Sequence, residues 1–231
     1  MGMARASIPV VHHYTIGLLI LTASTGAIDA VSYLALDRVF TGNMTGNVLF
    51  LGFALMGVGG IPFLNNALAL LGFAAGSIIG GRAVGRKQPQ GLPVSSRWVL
   101  GAGAILIVLL AGYWALVREL SHPAMLVVTV LLAMIMGAQV SAVKPVGNSD
   151  VTTIVVTNTL ANLARDSRLA GGTGTGWWQR LSAVVAMGVG AAIGAGVVGA
   201  LGGAAALAAA AVVFVAGALT LVFASRRYDA S

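Results

Sequence analysis

The sequence predicts an all-α polytopic membrane protein with six transmembrane helices, two half-penetrating or broken helical segments, and a 3+3 inverted repeat. Three observations lead there. Apolar runs near 20 residues, the length that crosses a hydrocarbon core of ~30 Å, recur along the chain. Hydrophobic residues make up 58% and charged residues only 8%, with a mean hydropathy of +0.95. Finally, the basic residues sort onto one face of a membrane only if two short apolar segments fail to cross it.

The long runs have to be helices, because a bilayer core offers the backbone no outside partners. The first expected span is 15–36, long enough although it carries Asp29. Arg5 ahead of this run superficially resembles a signal peptide, but Asp29 and the lack of a cleavage motif make it a retained span. Segment 48–58 is uninterruptedly apolar, yet at 1.5 Å per residue it covers only about half the bilayer. Clean spans follow at 63–81, 98–117 and 124–143. Segment 151–164 is broken by Thr152, Thr153, Thr157, Asn158, Thr159 and Asn162, and two more clean spans, 181–201 and 204–224, complete the set. The 32 glycines suit close helix packing in lipid.

Charge decides the two short segments. If all eight segments cross with the N-terminus inside, Arg5, Arg118, Arg165, Arg168, Arg180, Arg226 and Arg227 lie inside, against Arg38, Arg82, Arg86, Lys87, Arg97 and Lys144 outside, which is no bias. If the short segments dip in and return, only Arg38 and Arg118 of the 13 basic residues remain outside. That is the positive-inside distribution, with both termini cytoplasmic. Trp98 and Trp177–Trp178 near inner ends and Tyr113–Trp114 near an outer end agree as interfacial anchors. The net charge of +7 therefore reports topology and not nucleic-acid binding.

The chain also repeats itself within a single membrane domain, 1–231, as halves 14–117 and 123–224. "GNMTGNV" at 42–48 lies over "TNTLANL" at 157–163, pairing Asn43 with Asn158 and Asn47 with Asn162. "TGAIDA" at 25–30 stands where "MGAQVSA" stands at 136–142, and Gly72 and Gly76 match Gly190 and Gly194. Three crossings per half insert the second half upside down, as in several secondary-transporter folds.

"TGAIDAVSYLALDRVFTGNMTGNVLFLGFAL" and the later "DVTTIVVTNTLANLARDSRLAGG" resemble the YoaK family, bacterial membrane proteins grouped as domain of unknown function 1275. The resemblance covers about 16–223 and implies a six-span inner-membrane protein without an established activity. It also implies an asparagine after Gln139, where this chain has Val140.

Asp29 is the single carboxylate within an expected span. An acid at a helix centre costs ~2.5–3.5 kcal/mol on insertion scales, so it faces a bundle interior or water. Desolvation favours the neutral form of any carboxyl, which makes Asp29 a candidate proton carrier; the bland alternatives are a wet position near the outer surface or a pair with Arg38. Asn43 and Asn47 are four apart and would share one helical face, as would Asn158 and Asn162. Thr45 joins them only if the local backbone is not a regular helix. These amides could line a pathway or glue the halves together, while amides at a segment's N-terminus would favour an anionic group. Gln139 falls near the position opposite Asp29, and Thr157 and Thr159 are either lining or back-bonded to their own helix.

The expected solute site is thus Asp29, Asn43, Thr45, Asn47, Gln139, Thr157, Asn158 and Asn162. The expected function is a small secondary transporter or facilitator for a small neutral or cationic solute, with a structural or regulatory membrane protein as the alternative. No cofactor is expected, and cysteine is absent. His12, His13 and His122 form no metal set. "GGTGTG" at 171–176 follows no strand and lacks Lys–Ser/Thr, so it reads as a flexible linker and not a phosphate loop. The loop 85–97 fixes topology and faces anionic headgroups. No nucleophile–base pair is evident, so no enzyme is expected. The partners expected are the lipid bilayer, a solute and, through the glycine faces, further copies of the chain.

Overall fold

The computed structural model describes residues 8–85, 91–146, 153 and 156–229. Arg5, Arg86, Lys87, Asp150 and Thr152, all used above, lie outside the described residues. Eight α-helices are present among those described: α1 (Ile8–Ala35), α2 (Met44–Leu55), α3 (Phe63–Val84), α4 (Val94–Val117), α5 (His122–Val143), α6 (Val156–Arg165), α7 (Trp177–Leu201) and α8 (Gly203–Asp229). Six are long and apolar enough to cross a membrane, and α2 is a shorter apolar helix.

Packing fixes the direction of each helix. α1 and α8 run antiparallel, since Gly17 abuts Leu221, Gly217 abuts Leu21 and Gly203 abuts Ala35. α4 is antiparallel to α8 too, with Gly203 on Trp114 and Gly103 on Phe214, so α4 points the same way as α1. The tight turn 118–121 reverses the chain into α5. α3 is parallel to α5: Gly72, Gly76 and Gly80 meet Val130, Met134 and Ala138 in turn. α3 therefore opposes α1, and α2 between them enters and leaves on one face. α7 is parallel to α1, with Gly190 on Ala23 and Gly194 on Ala27, so α6 likewise does not cross. Six crossings result, and α1 begins on the face where α8 ends.

The two parallel crossings are close enough for glycine alone. A Cβ added at Gly76 would collide with the carbonyl oxygen of Met134, and one at Gly137 with that of Phe73. At the other crossing, Gly190 meets the Ala23 carbonyl and Gly26 the Met187 carbonyl. All four glycines of the expected motifs thus pack inside the bundle. Gly76 and Gly80 meet α5 as Gly190 and Gly194 meet α1, one turn along from the Gly72 and Gly76 of the expected match.

The core is built where α1, α4, α5 and α8 meet, with Leu18, Leu21, Ile107, Leu132, Leu207 and Phe214 fully buried. Large apolar side chains also stand exposed along the outside, among them Leu71, Ile78, Ile105, Leu109, Ile193 and Leu219. An outer surface of this kind belongs in lipid, where the hydrophobic effect does not act against it. Trp98, Trp177, Trp178 and Tyr113 are exposed as interfacial anchors should be. Trp114 is not one of them: it is only 6% exposed and fills the space beside Gly203. The "GGTGTG" stretch is a pinned turn and no loose linker, since Gly172 N–H donates to Ser167 O (2.9 Å) and Gly174 N–H to Asp166 O (2.9 Å). There Arg165 and Arg180 hold the Asp166 carboxyl below its ordinary value by hydrogen bonding.

Candidate functional site

The site begins with the reversal that follows α1. Asp37 and Arg38 take left-handed conformations, φ 64° and 55°, an arrangement Asp tolerates better than most residues. Asn65 of α3 steadies it, donating from Nδ2 to Asp37 Oδ2 at 3.2 Å. Leu36 and Val39 are buried and anchor the turn. The chain then folds back along α1 to Asp29, six residues or about 9 Å below the helix end.

There Asp29 collects four hydrogen bonds. Its Oδ1 accepts from Thr41 N (2.9 Å), Gly42 N (2.7 Å) and Thr41 Oγ1 (3.3 Å), and its Oδ2 accepts from Asn43 N (3.0 Å). These donors lie in the turn just ahead of α2, at the positive end of its dipole, while the helix's own Met44 and Gly46 amides bond to Gly42 O and the Asn43 side chain. The chain thus supplies its own anion there. Asp29 pairs with backbone, not with Arg38. Gly42 permits the approach, since a Cβ there would lie 3.2 Å from Asp29 Oδ2.

Asn43 and Asn47 have different jobs. Asn43 is the N-cap of α2, its side chain accepting from Gly46 N, so it stands outside the helix and the two asparagines do not share a helical face. Asn47 is fully buried. Its Nδ2 donates to Phe40 O at 2.6 Å, and its Oδ1 accepts from Phe40 N at 2.9 Å. One side chain thus satisfies both polar groups of Phe40 and closes the loop onto the helix. Phe40 in turn packs against Tyr33 and Phe50, with centroids 5.0 and 5.7 Å away, and these two rings also meet each other at 6.1 Å.

Beside Asp29 lies a cavity of about 570 Å³. Its polar wall includes Asp29, Tyr33, Asn43, Thr45 and Thr157, and its apolar wall includes Phe40, Met44, Phe73, Met187 and Ala191. Phe73 is at the middle of α3 and Met187 and Ala191 flank the middle of α7, which puts the cavity near half depth. α1, α2 and α3 contribute from one half of the chain, α6 and α7 from the other.

Four of the eight expected residues, Asp29, Asn43, Thr45 and Thr157, meet at this cavity. The other four do not line it. Asn47 is spent on Phe40. Gln139 is buried, donating from Nε2 to Thr25 Oγ1 at 3.4 Å while its Oε1 has no partner. Asn158 on α6 is exposed. Asn162 offers its backbone oxygen to Arg180 at 3.0 Å. No hydrogen bond joins the side-chain amides of α2 to those of α6 among the described residues. Sequence reasoning missed Tyr33, Phe40, Phe73 and Met187, which read as ordinary apolar core. It also missed Asn65 and Asn66, buried polar residues in an otherwise apolar span that could have been flagged.

A larger cavity, about 840 Å³, lies at the α3–α5 crossing and is lined by Ser77, Gly81, Arg82, Ser141 and Lys144 among others. It holds no carboxylate among its lining residues. No group of three or more potential metal ligands occurs among the described residues.

Six spans, a shorter apolar helix α2 that begins and ends on one side of the bundle, and a carboxylate at a half-depth cavity define a multi-pass membrane protein. The sequence model of the DUF1275 family, described as "Protein of unknown function (DUF1275)", matches residues 17–220. The chain belongs to that family. It is similar to the UPF0700 transmembrane protein YoaK of Bacillus subtilis (strain 168), with 34% identity over 154 residues, which span 65% of each chain. No solved structure matches it.

Proposed function

We propose that the protein is a small secondary transporter or facilitator that moves a small neutral or cationic solute by alternating access. The observation that carries this reading is the cavity reaching Asp29, lined by both halves of the chain. A pathway residue is what an intramembrane carboxylate ordinarily marks, and the volume falls in the range of small-molecule sites.

The 3+3 inverted repeat, 14–117 and 123–224, belongs to the same proposal. Its support is the matched contacts of the two parallel crossings, Gly76–Met134 with Gly190–Ala23 and Gly137–Phe73 with Gly26–Met187. A cytoplasmic placing of both termini, in a bacterial inner membrane, is part of the same proposal, and the bias of the basic residues supports the orientation. An anionic solute is disfavoured, because the backbone amides of residues 41–43 ahead of α2 already hold the Asp29 carboxylate beside the cavity. Asp29 also serves as the proton carrier if the flux is proton-coupled, and no enzymatic step is proposed.

The test is uptake into liposomes containing the purified protein. Flux and proton leak should fall in Asp29→Asn, and unchanged values would overturn the proposal. A second reading, a structural or regulatory protein with a polar core built for packing, draws on Asn47, whose amide is fully occupied by Phe40. It predicts that Asn43→Leu lowers stability in detergent without altering any flux.

A further inference from the structure

We propose that the Asp29 cavity selects an organic monocation: a protonated amine carried on an apolar or aromatic body. The inference rests on the reading that this cavity binds a solute, and it names the class. The charge comes first. Asp29 contributes one negative charge, and the α2 N-terminus beside it contributes roughly half a positive charge. The remainder attracts a single cation weakly enough to release it, and gives no reason to hold a dication.

The vacant acceptor capacity agrees. Asp29 Oδ1 already accepts three hydrogen bonds, while Oδ2 accepts one. A carboxylate oxygen has about two acceptor sites, so Oδ2 keeps room for an N–H donor from the cavity. A bare metal ion needs several oxygen ligands at once, and the cavity offers this single carboxylate. A sugar-like solute needs hydrogen bonds on every side, yet beyond the polar Tyr33, Asn43, Thr45 and Thr157 the wall includes Phe40, Met44, Phe73, Met187 and Ala191, whose side chains present none. An apolar body is what those residues accept. The aromatic rings supply the last element: Tyr33 and Phe40 line the same cavity as the carboxylate, and aromatic rings attract cations within about 6 Å.

The experiment uses the purified full-length protein in nanodiscs and three probes of similar size: 2-phenylethylammonium, the neutral 2-phenylethanol and the anionic 3-phenylpropanoate. Binding is read by calorimetry, with flux of the same probes measured in liposomes. The ammonium should bind at least about tenfold more tightly than the alcohol, and the carboxylate should not bind. Asp29→Asn should remove that preference. Because Asp29 also secures the loop, Tyr33→Leu is the second variant; it should weaken the ammonium about threefold to tenfold and leave the alcohol unchanged. Equal binding of ammonium and alcohol, or an unaffected ammonium in both folded variants, would overturn the inference. Selective binding without flux leaves the monocation site standing and sinks the transport reading. Flux of a hydrophilic solute that the ammonium does not inhibit does the reverse.

Discussion

The α1–α7 and α3–α5 crossings share a geometry and differ in what they hold. At each, two parallel helices touch through glycines set against a neighbour's carbonyls. At α1–α7 the cavity beside the contact contains Asp29 and the N-terminus of α2; at α3–α5 it contains Arg82 and Lys144, with Val140 three residues after Gly137 where Asp29 follows Gly26. Glycine contacts therefore serve both crossings alike, and of the two cavities only the one at α1–α7 has a carboxylate among its lining residues. A frame common to both with an acid in one is what a protein needs if packing and binding are to vary separately.

The comparison breaks most sharply at the glycines. Gly76→Leu and Gly190→Leu should each cost more than ~3 kcal/mol, since overpacking here meets backbone and not a movable side chain. Both variants should lose their monodisperse peak in size-exclusion chromatography; a well-behaved Gly190→Leu beside a lost Gly76→Leu would end the equivalence. Asp29→Ala should come next, costing about 2–4 kcal/mol by stranding the amides of residues 41–43. Val140→Ala should cost at most about 1 kcal/mol. Reversible unfolding in mixed micelles compares them, and equal losses would show that Asp29 does not hold the loop.

Smaller effects sharpen the contrast between the two short helices. Asn47→Ala should cost ~1–2 kcal/mol through its two bonds to Phe40, and Asn162→Ala within about 0.5 kcal/mol. The smallest is a pH effect at the α6–α7 turn. The Asp166 carboxyl is held below its usual 3.8 by Arg165 and Arg180, so its contribution is complete above that value and is lost as pH falls through the lower folded value. Proteolysis of the 171–176 turn should accelerate only below about pH 4; acceleration at pH 6 would contradict the assignment.

Much of this frame was legible in the residues. Span lengths and the placement of 13 basic residues identified six crossings, because both follow from bilayer thickness and charge. Asp29 stood out because a lone acid in an apolar run demands a partner. Which glycine makes the closest contact was not legible: Gly72, Gly76 and Gly80 are evenly spaced, and the meeting of Gly76 with the Met134 carbonyl singles it out only in three dimensions. Nor was the split between Asn43 and Asn47, since the pair shares a face only if the helix has already begun, and Asn43 caps it. The apolar cavity wall was hidden for a simpler reason: Phe73 and Met187 lining a site look the same in sequence as Phe73 and Met187 filling a core.

The return of residues 41–43 to Asp29 has a consequence for biosynthesis. α1 emerges from the ribosome and enters the bilayer before its carboxylate has any of its four donors. α2, with 12 residues, is too short to be inserted as a span, so it can settle against α1 only once α3 anchors the chain behind it. Until then the nascent protein carries an unsatisfied acid in lipid, and closing the loop over Asp29 becomes a late, stabilising step in assembly, after insertion and not during it.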